Sequence, residues 1–178
     1  MAVLQIRTFP DPVLRERSHE VQEITDIHRR LVGDMLATMR DAPGVGLAAP
    51  QVGVLERIFV WEVDDASGVI INPTIVERSE ELVEEEEGCL SLPGIAYEVV
   101  RNAEVKVEGI DLEGDAVSLE ADDLLARVCQ HEIDHLDGVL FVDRLPSALK
   151  REALSRLREQ ALGLPPPPSA PIPPEENL

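Results

Sequence analysis

A domain of mixed helix and strand, organised around one helix able to hold a metal ion, is the fold this sequence predicts. Three observations predict it. Helix-start and helix-stop signals bracket three stretches, near 25–42, 122–138 and 146–163. Between the first two lie short apolar or alternating runs with the signature of strands. The second helix carries Gln130-His131-Glu132-Ile133-Asp134-His135, two histidines four residues apart with a glutamate between them.

Taken in order, Phe9 to His19 contains Pro10 and Pro12 and reads as extended. Thr25 and Asp26 cap a helix whose apolar positions Ile27, Leu31, Met35 and Met39 recur every four residues, and Pro43 stops it near Asp41. His19 and His28 belong to no cluster and read as surface or capping residues. Gly44-Val45-Gly46-Leu47-Ala48-Ala49-Pro50-Gln51-Val52-Gly53 is dense in small residues, which let a backbone approach a neighbour closely. It has no Gly-Lys-Ser/Thr ending, so it is not a phosphate loop. Ile58 to Val63 is a buried strand, Val69 to Ile71 a second one ended by Asn72-Pro73, and Ile75 to Val83 a third.

Glu84 to Glu87 follow as four acids in a row. A solvated edge accounts for the first three, and only Glu87 adjoins chemistry. Beyond Gly88-Cys89-Leu90-Ser91-Leu92-Pro93-Gly94, Glu104 to Ile110 alternates as a half-exposed strand does, and a turn at Asp111 to Asp115 leads into Ala116 to Leu119. Asp122 or Asp123 caps the second helix, which ends at Gly138, and Val139 to Val142 reads as a short strand. Pro146-Ser147 opens the last helix, which runs to about Gly163. Residues 1–163 are expected to form one catalytic domain. The Pro-rich tail, 164–178, is expected to be extended or disordered.

Composition narrows the function. With 35 acidic against 16 basic residues the formal charge is −19, a surface that repels phosphate backbones and anionic lipid. Nucleic acid and membrane are therefore excluded as main partners. No signal-peptide pattern opens the chain and no run reaches the roughly 18 apolar residues of a membrane span, so a cytoplasmic protein is expected. In that setting Cys89 and Cys129 are a thiol or a metal ligand rather than a disulfide.

At ~100° per residue, His131 and His135 lie only ~40° apart around the helix and grip one ion between them. Leu124 and Val128 share that face and wall the site with apolar surface. Cys129 is ~200° from His131 and points away, a small core residue. Cys89 remains as third ligand, giving Cys-His-His with one position open for water, the arrangement of a catalytic rather than a structural ion. Glu132 and Asp134 both flank the histidines. The longer reach of glutamate favours Glu132 as general base and leaves Asp134 behind the site or at the surface.

Three segments in this order resemble the peptide deformylase family: Gly44 to Gln51, Glu87-Gly88-Cys89-Leu90-Ser91, and Gln130 to His135. The resemblance spans roughly residues 1–160. It implies an α+β fold, with short antiparallel sheets around a central metal-binding helix and a C-terminal helix. The implied activity is removal of the N-formyl group from the N-terminal formyl-methionine of newly made polypeptides, releasing formate. Cys89, His131 and His135 match the family's metal ligands and Glu132 its acid/base. Gln51 and the Leu90 backbone N–H match its donors to the carbonyl oxygen. Fixed uncharged donors suit the charge that develops there.

Gly44 and Gly46 would let an extended substrate pair with backbone, and Val45, Leu124 and Val128 would wall the methionine pocket. The resemblance implies ferrous iron as native ion, with zinc, nickel or cobalt able to replace it. Ligand type alone suggests zinc. Ala96 stands where some members carry an arginine on the peptide backbone, and Arg101 and Glu87 are candidates for an ion pair behind the site.

The last helix sets Lys150, Arg151, Arg156 and Arg158 against Glu152 and Glu159, a local excess of positive charge. By similarity to members that dock on the ribosome through such a helix, weak ribosome binding is expected. The rival readings are a His-Glu-x-x-His zinc peptidase, whose third ligand lies downstream, and a non-catalytic metal-binding, ribosome-associated protein.

Overall fold

The computed structural model describes residues 1–164. Its architecture is α+β: α1 (Asp26–Asp41), β1 (Gly46–Ala48), β2 (Ile58–Val63), β3 (Ala66–Arg78), β4 (Leu82–Gly88), β5 (Ala96–Asn102), β6 (Val105–Ile110), β7 (Ala116–Ala121), α2 (Asp123–Leu136) and α3 (Ser147–Ala161). The strands form a five-stranded sheet in the order β1-β2-β3-β6-β7 and a two-stranded sheet of β4 and β5, antiparallel at every pairing.

β2 shows why this sequence packs on both sides of a sheet. Successive side chains point to opposite faces. Ile58 and Val60 join Val32, Met35 and Met39 of α1, while Phe59 and Trp61 join Ala126, Cys129, Ile133 and Leu136 of α2. Both faces are covered, so the strand reads as an unbroken apolar run. Met35 and Met39 are fully buried, and truncating either to alanine would cost about 2–5 kcal/mol. A third cluster joins Ala153 and Leu157 of α3 to Leu14, Leu92, Ile95, Val99 and Phe141. α2 therefore lies between the large sheet and the β4–β5 sheet. Gln130 pins it to the latter, accepting from Asn102 N–H at 3.1 Å and donating to Asn102 O at 3.0 Å.

Several local expectations are corrected. Asn72-Pro73 does not end a strand: β3 runs through it, with a register shift between Ile71 and Thr74. Asn72 takes a left-handed φ of 53°, its N–H bonds Arg57 O at 2.7 Å, and Pro73 sits in the irregularity, where no donor is needed. The strand expected over Ile75 to Val83 ends at Arg78, and β4 begins separately at Leu82. Val139 to Val142 is not a strand either. Its apolar residues enter a 3-10 turn, Phe141–Arg144, whose Phe141 and Val142 are buried. In α1, Ile27 is exposed. The buried stripe is Val32, Met35 and Met39, and His28 joins it, its Nδ1 accepting from Thr25 N–H at 2.9 Å. His28 is thus a capping histidine, and His19 is exposed. Asp122 occupies the N-cap of α2 without a side-chain bond. The proline-rich tail lies outside the described residues from 165 onward. No helix among the described residues is long and apolar enough to cross a membrane.

Candidate metal centre

α2 presents His131 and His135 on one side, their rings edge to face with centroids 4.9 Å apart. Cys89 arrives from the turn after β4, its Sγ 3.2 Å from His135 Nε2. One ligand atom from each of Cys89, His131 and His135 lies within 4.8 Å of the other two, so the three side chains have the reach and the donor types of a thiolate–imidazole metal site. His131 stacks on Phe141 with ring centroids 6.3 Å apart, which restricts its ring. The pairing selected by helical geometry is the one the fold brings together. Cys129 lies fully buried in the core of the large sheet, where burial and then the Glu132 charge push its thiol up to about 12.

Behind the imidazoles sits a buried charge network. Glu87 Oε1 accepts from Arg101 Nε at 2.8 Å and Arg127 Nη1 at 2.7 Å. Its Oε2 accepts from Arg101 Nη2 at 3.0 Å and meets His131 Nδ1 at 3.0 Å. Burial works against the Glu87 charge, but His131 and Arg101 prevail and hold the carboxyl down at about 2. A permanent acceptor on Nδ1 keeps the proton there and leaves Nε2 to face the centre. Asp134 continues the network, accepting from Arg101 Nη1 at 2.7 Å and Arg144 Nη2 at 2.6 Å. It therefore belongs behind the site, buried rather than at the surface. Burial, then the neighbouring His131, keeps His135 well below the usual imidazole range, neutral and able to ligate.

The front of the centre opens into a cavity of about 440 Å³, lined among others by Gly44, Val45, Gly46, Gln51, Cys89 and Leu90. Leu124, Val128, His131 and Glu132 lie along the same cavity, while His135 of the sequence-predicted set is fully buried and not part of its lining. Glu132 is buried and its Oε2 has no hydrogen-bond partner. Burial pushes this carboxyl up to about 7, against the pull of His131. Gln51 is oriented by its own turn: Oε1 accepts from Ala48 N–H at 2.9 Å, so the amide nitrogen faces Ser91 Oγ at 3.1 Å and Cys89 Sγ at 3.7 Å. The Leu90 N–H donates to no acceptor among the described residues.

Gly46 is required here by contact rather than by conformation. A Cβ at this position would lie 2.5 Å from Glu132 Oε1 and 2.9 Å from Val128 Cγ1. At Gly44 it would lie 2.8 Å from Leu90 Cδ1. Gly46 thus lets β1 close down on α2, and Gly44 lets the chain just before β1 close on Leu90.

Val45 and Leu124 are exposed at the cavity's mouth, while Val128 is buried in its wall. Sequence reasoning missed Leu92, Ile95 and Arg127, which also line it. Arg127 was within reach, since it precedes His131 by four residues and so shares its face. Ala96 is exposed, paired with Gly88 at the end of the small sheet. A second cavity, about 420 Å³ between Arg78, Lys106 and Glu120, holds none of these groups.

Residues 3–151 match the family model described as Polypeptide deformylase. The peptide deformylase of Acidothermus cellulolyticus is 49% identical over 159 residues, covering 89% of this chain and 88% of that one. Among solved structures, the peptide deformylase of Ehrlichia chaffeensis in complex with actinonin superposes with a TM-score of 0.86 at 40% identity, over 90% of this chain and 98% of that one. The peptide deformylase of Thermus thermophilus superposes at 0.84 with 47% identity, covering 90% and 96%.

Proposed function

This chain belongs to the polypeptide deformylase family, metal-dependent hydrolases that remove the N-formyl group from nascent peptides, and we propose that Cys89, His131 and His135 hold its ion while Glu132 moves the protons. When bound, the ion supplies a Lewis acid that polarises the formyl carbonyl and acidifies a water. Glu132 takes a proton from that water and delivers it to the departing α-amine. Burial raises this carboxyl in the metal-free chain, which favours it as a group that both takes and returns a proton. The Gln51 amide and the Leu90 N–H donate to the formyl oxygen as charge builds on it. Water adds to the carbonyl carbon, the C–N bond breaks, and formate and a free N-terminus leave.

β1 is the edge of its sheet, so Gly44 to Gly46 offer backbone to an extended peptide, while Val45, Leu124 and Val128, joined by Leu92 and Ile95, wall the methionine side chain. The observation that carries this reading is the unpartnered, buried Glu132 carboxylate in one cavity with three convergent ligand atoms. Ferrous iron is assigned as the resident ion on the family resemblance, with zinc, nickel or cobalt as substitutes. A substrate made on the ribosome supports a cytoplasmic location.

Ribosome docking through α3 is a second and narrower proposal. Lys150 and Arg156 pair with Asp143 and Glu152 at 2.8 Å each, so Arg151 and Arg158 are the cations of this helix left without an ion pair among the described residues. Because Ala153 and Leu157 are core, charge reversal at Arg151 and Arg158 tests this better than deletion. Unchanged co-sedimentation with ribosomes would reject it.

For the main reading the test is formate release from formyl-Met-Ala-Ser under anaerobic conditions, by wild type and Glu132→Ala. Release by the first alone, with metal bound in both, is expected. A metal-loaded wild type that releases no formate, or that cuts internal peptide bonds instead, overturns it in favour of a non-catalytic protein or a zinc peptidase.

A further inference from the structure

Beyond α2 the chain makes the 3-10 turn Phe141–Arg144, whose two ends meet the metal site by different routes. Phe141 stacks directly on the His131 ring. Arg144 reaches the same histidine only through three other side chains. It grips Asp134 with a fork, Nη2 to Oδ1 at 2.6 Å and Nε to Oδ2 at 3.1 Å. Asp134 Oδ2 also accepts from Arg101 Nη1 at 2.7 Å, while the other two nitrogens of Arg101 hold Glu87 at 2.8 and 3.0 Å. Glu87 Oε2 then meets His131 Nδ1 at 3.0 Å. Exposure falls along this line, from 49% for the Arg144 side chain through 10% at Asp134 and 5% at Arg101 to 3% at Glu87. With Arg101, Gln130 and Asp134, Arg144 lines a separate cavity of about 200 Å³ that shares no lining residue with the metal cavity.

We propose that Arg144 is a positioning residue for the metal site, acting through Asp134 and Arg101 to keep Glu87 in place against His131. The proposal rests on the reading of Cys89, His131 and His135 as the ion's ligands. Arg101 is shared by two buried carboxylates, and its guanidinium can serve one more closely only by giving up the other. Arg144 supplies Asp134 with a fork of its own and is the sole partner of Oδ1 among the described residues. Without that fork a buried carboxylate oxygen is left unpaired, a costly state that Arg101 relieves by turning toward Asp134. The turn takes nitrogens from Glu87, and the acceptor that fixes the His131 ring and its tautomer shifts with them. Arg144 does not line the metal cavity, so its effect reaches the reaction only through the geometry of the His131 ring.

The test uses the full chain with Arg144→Ala and Arg144→Lys, loaded with zinc or with cobalt(II). Zinc affinity is read by chelator competition, ligand geometry by the visible absorption of bound cobalt, and kcat and KM on formyl-Met-Ala-Ser. Arg144→Ala should lose zinc affinity roughly tenfold, the lower end of what partners of metal-bound histidines contribute. Its cobalt bands should shift, and kcat should fall while KM stays. Lysine keeps the charge without the fork, so Arg144→Lys should fall between alanine and wild type. Free guanidinium at millimolar concentration should restore part of the alanine variant's affinity, where sodium chloride at the same concentration should not. A merely structural role predicts a lower urea midpoint with zinc affinity within about twofold of wild type and unchanged cobalt bands, and that result overturns the proposal alone. A wild type that binds neither metal overturns the metal-site reading and this proposal with it.

Discussion

Replacing Glu87 with glutamine removes a single negative charge on which three groups converge. Arg101 grips the carboxylate with two nitrogens at 2.8 and 3.0 Å, Arg127 adds a third at 2.7 Å, and His131 Nδ1 sits at 3.0 Å. All of this is buried, with the side chains of Glu87 and Arg101 only 3% and 5% exposed. Removing one partner of a buried ion pair leaves an uncompensated charge, a loss of about 3–5 kcal/mol. The proton affinity of Glu87 leads to a similar figure. Its pKa falls from 4.5 to about 2, and at about 1.4 kcal/mol for each tenfold change in affinity this is about 3 kcal/mol. The glutamine amide also turns a donor toward His131 or an arginine, so the imidazole loses the acceptor that orients it, and metal affinity should fall roughly 10–100-fold.

Urea denaturation of the metal-free chain reads the first effect, and competition for zinc against a chelator reads the second. A variant within about 1 kcal/mol of wild type that holds zinc as tightly would refute the claim that Glu87 joins the core to the metal ligands. In the unsubstituted protein the depressed carboxyl makes this contribution complete above pH 4.5, and it is lost as pH falls from there toward 2.

Glu132 should behave in the opposite sense. Its carboxyl is raised from 4.5 to about 7 by burial, so in the metal-free chain it withdraws stability as pH rises through that interval. Glu132→Gln should stabilise the metal-free chain above pH 7 by up to about 3 kcal/mol, leave it unchanged below 4.5, and lose turnover. A pH-independent difference in urea midpoints would contradict this. Gly46→Ala forces a methyl to within 2.5 Å of Glu132 Oε1 and 2.9 Å of Val128. It should cost about 1–3 kcal/mol in thermal unfolding and lower kcat at least tenfold by displacing the carboxylate. A fully active alanine variant would show that the close approach of β1 is dispensable.

What the sequence made legible was local in origin. The histidine spacing, the rejection of Cys129 and the pairing of Cys89 with the helix all follow from helical angles and donor chemistry. Strand β2 is legible because its buried run is short and bounded. The stripe on α1 was misplaced at Ile27 because a four-residue repeat drifts ~40° per step, so three steps leave the buried face. The path of β3 through Asn72-Pro73 depends on Asn72 bonding Val21 N–H and O at 2.9 Å, partners 51 residues away. Residues Val139 to Val142 are continuously apolar, a pattern shared by a buried strand and a buried turn. Glu87 stood out from Glu84, Glu85 and Glu86 by its place beside the cysteine. Its four contacts with Arg101, Arg127 and His131, however, come from β5 and α2 and could be seen only in the fold.

The proposed site holds one ion through one sulfur and two imidazoles, with a position left open. X-ray absorption at the zinc edge of the zinc-loaded protein tests it most directly. The expected result is one ion per chain with a single sulfur at about 2.3 Å and two imidazole nitrogens at about 2.0–2.1 Å, plus one further light atom, and loss of the sulfur in Cys89→Ser but not in Cys129→Ser. A shell with two sulfurs, with none, or with four protein ligands would contradict it.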